Sequence, residues 1–325
     1  FAPCGFDSLL RHHSTFNDQV TTRTLSFHAG YQCGNSGVCC ASGWPIPVEP
    51  DAEAALGAAF PDGPHVVAAT RIAPPLLPRT ALSCAFHDLA RHRCRAHDAI
   101  GHDALPVACR QFPRVTINGP AHDTITLSCY CPTARGLLAA WTGPVTIVEN
   151  GSGFPPDGRY IGLDARTSLP PALTPNVLMD WSSWHEWERL AVEACDHAFP
   201  PRELIARLSD AVERTRTWRP GHGDLIDHMR AAFSGAFSAA NPTHLSHPSH
   251  LTNRFLACWA FGNWTSVLGQ GLRSWLRSLE TVVWLVEDQG WPFEDVDLWL
   301  RHYADPYLLA ATHSRAESGR LSGRR

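Results

Sequence analysis

The cysteines of this chain are crowded into one stretch, and this crowding limits how the stretch can fold. Eight of the eleven cysteines lie between Cys33 and Cys131, in a region rich in His, Pro and Gly with weak apolar periodicity. Clustered thiols in a chain without secretory character are typical of a metal site or of redox chemistry. The odd number of cysteines also argues against a disulfide framework.

The first three of these cysteines stand in the segment CGNSGVCC, which begins at Cys33. Thiolates converge on one point only if the backbone turns sharply, and Gly and Asn permit such turns. The neighbours Cys39 and Cys40 point to opposite sides of an extended chain, so both reach one metal only across a tight turn. Otherwise the pair serves two metals, or one of the two is not a ligand.

The later cysteines are Cys84, Cys94, Cys109, Cys129 and Cys131. Four thiolates can bind a zinc ion or an iron–sulfur cluster, and spacing alone does not choose between them. The paired CxxC spacing of a zinc ribbon is absent, and the thiols outnumber the needs of one zinc ion. Both observations favour an iron–sulfur cluster, of the [4Fe–4S] type, over zinc.

The apolar pattern predicts a mainly α protein, with an irregular, cysteine-rich, metal-binding N-terminal half that has short strands and a helical C-terminal half. We expect a metal-binding domain over 1–145, a connector over 146–179 and a helical domain over 180–325. The connector should contain two short strands about a Gly/Pro turn.

Within the N-terminal half, the sequence predicts a helix over 51–60, a strand over 124–128 and a helix beginning near Pro132. Helical periodicity recurs from Asp180 onward. Three tryptophans there, Trp181, Trp184 and Trp187, are spaced three apart. This spacing favours a core stripe over an aromatic substrate surface.

Composition excludes several functions. The net charge is −4, with 27 basic and 31 acidic residues, so the sequence predicts no nucleic-acid partner. All the basic residues other than histidine are arginine, which excludes a P-loop lysine and a Schiff-base lysine. No apolar run is long enough for a membrane span, so no membrane partner is expected. Thiol use and the lack of a signal-peptide pattern predict a cytoplasmic location.

Four elements taken together resemble a known family. They are Cys39-Cys40 followed by Trp44, the pair Cys84 and Cys94, the run Cys109-Arg110-Gln111-Phe112-Pro113-Arg114, and Ser128 with Cys131-Pro132. This combination resembles the YkgJ-like cysteine-cluster family of zinc- or iron-chelating proteins, and within it the flagellin lysine N-methylase-like branch. The resemblance covers roughly residues 20–145.

Carried over residue by residue, the resemblance implies one set of metal ligands: Cys33, Cys39, Cys40, Cys84, Cys94, Cys109 and Cys131. Cys129 falls at a variable position of the family. Where family members often have a further cysteine, this chain has His28, which leaves two alternatives. Either His28 substitutes as a ligand, or the ligand set is smaller.

For activity, the resemblance implies transfer of a methyl group from S-adenosylmethionine to lysines of a protein such as flagellin. Two alternatives stay open: a non-catalytic zinc- or iron-chelating module with a structural site and an interaction surface, and a metal-delivery protein. The nearest glycine-rich candidate for a cofactor loop is VTIVENGSG, with Glu149, Gly151 and Gly153, and a turn is the preferred interpretation; GQG at 269–271 and GHG at 221–223 are weaker candidates. The CxxxCxxC motif of radical enzymes is absent, and no catalytic residue is assigned.

Two further groups of residues surround the cysteines. His87, His92, His97 and His102 recur every five residues, but the HExxH motif of zinc hydrolases is missing. A solvated stretch is therefore preferred over a histidine site. Arg110 and Arg114 flank Cys109, either as surface residues or as cations that offset the charge of a metal centre.

Overall fold

The computed structural model describes residues 21–70, 74–81, 83–155, 158, 160–238, 247–269 and 271–303. About 46% of them are helical and 13% lie in strands. The strands are β1 Thr21–Leu25, β2 His87–Asp88, β3 Arg93–Cys94, β4 Arg114–Asn118, β5 His122–Leu127, β6 Ile147–Glu149, β7 Leu163–Asp164, β8 Ala172–Thr174 and β9 Val177–Leu178.

The described helices fall into a short N-terminal group and a longer C-terminal group. They are α1 Pro50–Ala59, α2 Arg95–Ile100, α3 Val107–Gln111, α4 Pro132–Ala140, α5 Trp181–Ala194, α6 Pro201–Thr215, α7 Leu225–Phe237, α8 His247–Ala260, α9 Trp264–Leu268, α10 Leu272–Val283 and α11 Phe293–Leu298. Two 3-10 turns cover Ser26–His28 and Val38–Ala41, and two π turns cover Trp284–Asp288 and Trp299–Tyr303.

Five strands form one mixed sheet in the order β6-β1-β5-β4-β7. Strand β1 runs parallel to β5, β4 runs parallel to β7, and the other two pairs are antiparallel. The prediction of a mainly α protein is therefore wrong, because this sheet makes the fold mixed α/β. Of these five strands, β5 had been expected as the strand over 124–128 and two more as the short strands of the connector, whereas β1 and β4 had not been expected.

Strand β1 escaped sequence analysis because its residues do not alternate between apolar and polar. Its sequence is TTRTL, yet four of its five residues are buried. The fold tolerates the burial of the charged Arg23 side chain because its Nη1 donates to Glu188 Oε2 of α5 at 3.1 Å. A strand that buries threonine and arginine leaves no period-two signal in the sequence.

The connector over 146–179 supplies both edges of the sheet. Two short strands were expected there about a turn, and β6 and β7 are those strands. They do not pair with each other, since β6 lies against β1 and β7 against β4. The connector thus completes the sheet, whereas the proposed domain boundaries stay predictions.

The C-terminal helices enclose the larger hydrophobic core, which we call the helical core. It contains Trp187 and Trp275, whose rings meet edge to face at 5.2 Å, and it extends to Leu25 and Phe27 of the sheet region. Trp184 and Trp187 are buried in it, and Trp181 packs against it. The core-stripe interpretation of the three tryptophans is confirmed.

A second, smaller core surrounds the cysteines, and we call it the thiol core. Its buried members are Cys40, Ile46, Val48, Ala52, Leu56, Leu77, Cys84, Phe86, Ala96 and Leu105. It is built from loops and from α1 and α2, so its thiols take part in the packing. Among the described helices, none has the length and apolar character needed to cross a membrane.

Candidate metal centre

Five cysteines from four chain segments meet in the thiol core: Cys39, Cys40, Cys84, Cys94 and Cys109. We call them the five-thiol cluster. Cys40 lies at its centre, because its thiol interacts by hydrogen bonding with the thiols of Cys39, Cys84 and Cys94. Of the seven cysteines predicted as one ligand set, the structure brings these five together.

The adjacent pair reaches the cluster through a tight turn. Cys39 and Cys40 lie in the 3-10 turn Val38–Ala41, which follows Gly37 in the left-handed region at φ 68°. Other residues rarely adopt this conformation, and a Cβ at Gly37 would lie 2.8 Å from His87 Nε2 and 3.2 Å from the amide nitrogen of Arg93, so a substitution there would be strained. Both thiols therefore face the same cavity, the first of the alternatives that sequence analysis left open.

Backbone hydrogen bonds place the next two cysteines. The amide of Cys84 donates to the carbonyl of Cys40 at 2.8 Å. Cys94 is the N-cap of α2, where its Sγ accepts from the amide of His97 at 3.4 Å. The Cys94 amide donates to Oδ1 of Asn35 at 3.3 Å, which ties the segment after Cys33 to the cluster.

Cys109 approaches the cluster from α3. The N-terminal end of that helix is held by Glu49, whose Oε2 accepts from the amide of Val107 at 3.0 Å. Burial raises the pKa of the Cys109 thiol well above its usual value, and negative charge on Cys39 adds to the effect. Cys109 is thus a neighbour of the central group rather than a hydrogen-bonding member of it.

The hydrogen bonds among the central thiols shift their pKa values in opposite directions. Hydrogen bonds with Cys39, and next with Cys84, raise the pKa of Cys40 far above its usual range. The hydrogen bond with Cys40 lowers the pKa of Cys39, of Cys84, and of Cys94, the last to about 7. Cys40 therefore keeps its proton, whereas its three neighbours lose theirs more readily than an unperturbed thiol does, toward the thiolate form that binds metals.

The cavity beside the cluster is small and mainly apolar. Its volume is about 30 Å³, room for about two water molecules. Leu56, Leu77 and Phe86 form part of its wall, and Arg79 contributes a positive charge. In the described part of the chain, no three or more His, Cys, Asp or Glu side chains are already spaced to hold a metal ion.

Cys33 and Cys131 lie beside the cluster rather than in it. Their common neighbour is Tyr31, whose hydroxyl is 3.8 Å from Sγ of Cys131 and also hydrogen-bonds to Cys33. Burial raises the pKa of the Cys33 thiol, and negative charge on Cys39 and Cys131 adds to the effect. Cys33 is exposed to solvent, whereas Cys131 is buried at the N-cap of α4.

Cys129 faces a different part of the protein. Its thiol is buried and hydrogen-bonds to that of Cys258 in α8. Its amide donates to a carboxylate oxygen of Asp297. These contacts belong to the helical core, so the structure gives Cys129 no place among the clustered thiols.

The rings of His28 and His97 do not join the thiols. His28 is fully buried, and its Nε2 donates to the carbonyl of Ala134 at 3.1 Å. Burial lowers the pKa of His28 to about 3, with no thiol among the causes. His97 lies next to His102, with ring centroids 5.9 Å apart.

The two arginines after Cys109 behave differently from each other. Arg114 stacks over Tyr31 and Phe154, with its guanidinium carbon 5.6 Å from each ring centroid, and its Nη1 donates to the carbonyl of Arg110. Nε of Arg110 is buried and has no hydrogen-bond partner among the described residues. The cation that lines the thiol cavity is Arg79, which sequence analysis missed.

The glycine-rich segment considered as a cofactor loop has a packing role. A Cβ at Gly151 would lie 2.9 Å from the carbonyl oxygen of Ala29, and one at Gly153 would lie 2.5 Å from that of Tyr31. The glycines let two backbone segments touch beside β6. This agrees with the interpretation as a turn.

Comparison with known proteins finds no relative of this chain. The chain matches no model of a known protein family, and neither a search of curated proteins nor one of solved structures finds a similar protein. The resemblance to the YkgJ-like family therefore stays a prediction.

Proposed function

We propose that this protein holds a thiolate-bound metal centre, an iron–sulfur cluster or a zinc ion, on Cys39, Cys40, Cys84 and Cys94. One observation carries the proposal: the buried thiol of Cys40 interacts with the thiol of its neighbour Cys39 and with those of Cys84 and Cys94 from two other segments, in one shared cavity. Buried free cysteines normally pack singly as small apolar residues. Four thiols that face one another, two of them buried and two partly buried, make a donor set suited to zinc or iron.

The surroundings fit such a group. The apolar wall limits solvent access, and Arg79 offsets part of the negative charge that several thiolates bring. Cys109 offers a fifth thiol, more than one zinc ion needs, which favours iron–sulfur. Binding would require the thiols to turn toward a common point, because no described ligand group is preset. Once bound, a cluster would supply one-electron chemistry, whereas zinc would tie the segments together.

The further steps of the proposal rest on the resemblance. These are binding of S-adenosylmethionine and methyl transfer to lysines of a partner protein such as flagellin. The alternative, a structural zinc or iron module with an interaction surface, needs only the metal centre. A cytoplasmic location is part of the proposal, and the ten free cysteines among the described residues support it.

The test is to purify the protein without oxygen and to measure iron, sulfide, zinc and the visible spectrum. We expect metal in a fixed ratio to protein, and its loss in Cys84→Ser and Cys94→Ser. Cys195→Ala is the matched control, because Cys195 is as buried as Cys84 but lies in the helical core. Metal-free wild-type protein that keeps its native circular dichroism would contradict the proposal.

The methylase step is tested separately by calorimetric titration with S-adenosylmethionine. Binding, followed by methyl transfer to a lysine-containing protein, would support the enzyme. A protein that contains metal but does not bind S-adenosylmethionine would exclude the methylase and leave the structural module.

A further inference from the structure

Three of the twelve tryptophans are exposed, and all three lie between residues 284 and 299. They are Trp284, Trp291 and Trp299, with 50%, 37% and 41% of their surface accessible to solvent. The rings of Trp291 and Trp299 meet edge to face at 6.1 Å. Tryptophan is mostly buried in folded proteins, so exposed rings in contact indicate an interaction site. We call the face that carries these three rings the tryptophan surface.

The helical core holds the tryptophan surface in place. Phe293 at the start of α11 stacks on Phe255 of α8, with ring centroids 4.5 Å apart. The amide of Trp291 donates to the carbonyl of Leu285 at 2.9 Å, and Leu285 is buried in the same core. Val296 of α11 is buried there too. The exposed rings are therefore carried by elements that are packed into the core.

The tryptophan surface is acidic. Between residues 278 and 300 the chain has no basic residue and six acidic ones: Glu280, Glu287, Asp288, Glu294, Asp295 and Asp297. Asp288 pairs with Arg202 of α6, and Glu294 pairs with Arg135 of α4. Glu287 and Asp295 are exposed, and neither forms an ion pair with another described residue. The surface therefore has carboxylates whose charge is not offset by a described arginine.

These two carboxylates lie close to the exposed rings along the chain. The amide of Trp299 donates to the carbonyl of Asp295, so the two residues are one helical turn apart and share a face of α11. Glu287 belongs to the same π turn as Trp284. Apolar rings and negative charges thus alternate on one surface.

The charge distinguishes between classes of partner. A second copy of the chain would bring the same carboxylates against this surface across a two-fold axis, and like charges repel. An anionic membrane surface is disfavoured for the same reason. A cationic side chain, in contrast, is attracted both by the face of an exposed indole ring and by a neighbouring carboxylate.

We propose that the tryptophan surface is a docking site for a basic segment, rich in lysine or arginine, of another protein. Trp291 and Trp299 provide apolar and cation–π contacts, and Glu287 and Asp295 bind the positive charges. Tryptophan is among the residues that contribute most to the affinity of protein interfaces. No thiol takes part, so this docking site does not depend on the proposed metal centre.

The experiment adds the reduced full chain to a fluorescein-labelled peptide of alternating lysine and serine at low salt and follows fluorescence anisotropy. We expect saturable binding that weakens as salt is added, and no binding of the corresponding glutamate–serine peptide. Trp291→Ala and Trp299→Ala should each weaken binding by about tenfold or more. The double variant Glu287→Gln/Asp295→Asn should weaken it by about fivefold and reduce its dependence on salt.

Two control variants remove similar groups from elsewhere on the molecule. Leu169→Ala removes an exposed apolar side chain, and Glu53→Gln/Asp62→Asn removes two exposed charges in and near α1. Both should bind the lysine peptide like the wild type. Absence of binding by the wild type at low salt would overturn the proposal, as would undiminished binding by folded Trp291→Ala/Trp299→Ala. Self-association of the wild type that is lost in Trp299→Ala would make a second copy the occupant and contradict the proposal.

The chain's own segment 304–325 offers the same chemistry through its four arginines: Arg315, Arg320, Arg324 and Arg325. A full-length variant with all four changed to glutamine separates this segment from an external partner. We expect this variant to bind the lysine peptide as the wild type does. If only this variant bound the peptide, the chain's own segment would be the occupant, and the proposal of an external partner would be wrong.

Discussion

His28 is a buried titratable side chain whose position makes the fold sensitive to acid. Its Nε2 donates to the carbonyl of Ala134, while Nδ1 is buried without a partner among the described residues. Protonation would place a positive charge in this interior, where the positive charge of Arg301 also opposes it. The imidazole is therefore neutral in the folded protein and takes up a proton readily only on unfolding.

The sign of the pH effect follows from this difference. Burial lowers the pKa of His28 in the folded state to about 3, against about 6.5 in the unfolded chain. Below pH 6.5 the unfolded state binds more protons, so stability falls as the pH falls toward 3. Between pH 7 and pH 5 we expect His28 to lower the free energy of unfolding by about 2 kcal/mol.

Urea unfolding at pH 7 and pH 5 checks this prediction in the wild type, His28→Gln and His222→Gln. His28→Gln should lose stability at pH 7 but show a flatter dependence on pH than the wild type. His222 is exposed, so its variant should follow the wild type. An unchanged slope in His28→Gln would show that other groups cause the acid sensitivity.

Among the secondary-structure elements, the same substitution should have opposite effects in a turn and in a helix. Gly153 lies beside β6, where a Cβ would stand 2.5 Å from the carbonyl oxygen of Tyr31. Gly57 is exposed in α1, where a Cβ would meet nothing within 4 Å. Alanine stabilises a helix interior by about 1 kcal/mol relative to glycine. At Gly153, by contrast, the backbone of the turn and that of Tyr31 must separate to make room for the methyl group.

We expect Gly57→Ala to raise the free energy of unfolding by about 0.5–1 kcal/mol. Gly153→Ala should lower it by more than that gain, because backbone atoms rather than a flexible side chain block the new methyl group. Denaturant unfolding of the two variants gives both values. If Gly153→Ala left the free energy of unfolding unchanged, the backbone contact between the turn and Tyr31 would have to adjust at little cost.

The elements also show how far sequence patterns reach. Strand β5 and helix α4 were predicted, because TITL alternates and Pro132 opens a helix. Strand β1 was not predicted, because a strand that is buried on both faces needs no alternation of apolar and polar residues. The sequences of β6 and β7 are too short to indicate which strand each one pairs with. Sheet order depends on contacts between distant segments, which no local pattern contains.

Some features of the candidate site could likewise be predicted from the sequence, and others could not. Cysteine clustering identified the thiols that meet around Cys40, and the Gly and Asn residues near them predicted the turns. The separation of Cys33 and Cys131 from the cluster could not be predicted, because it depends on how the loop packs against α4. Tyr31 and Arg79 carried no motif signal, and only their positions in space connect them with the thiols.

Considered as a whole, the described part of the molecule has a helical core and a thiol core of different character, beside a third, smaller cluster that includes Tyr31 and Phe154. The helical core consists of long helices and large aromatic side chains, and it joins the sheet through the buried ion pair of Arg23 and Glu188. The thiol core is smaller, and its short elements are held partly by the cysteines themselves. Small, loop-rich cores commonly need a metal or another crosslink for stability.

Metal removal should therefore loosen one core and spare the other. After treatment with a strong chelator under reducing conditions, we expect faster amide hydrogen exchange over residues 37–111. Protection in α5, α6 and α10 should stay unchanged, because those helices pack without thiol ligands. Exchange followed by mass spectrometry measures both regions in one sample, and folded Cys94→Ser should reproduce the pattern without chelator. Uniform loss of protection would show that the two cores unfold as one unit, whereas no change would mean that the thiol core is stable without metal.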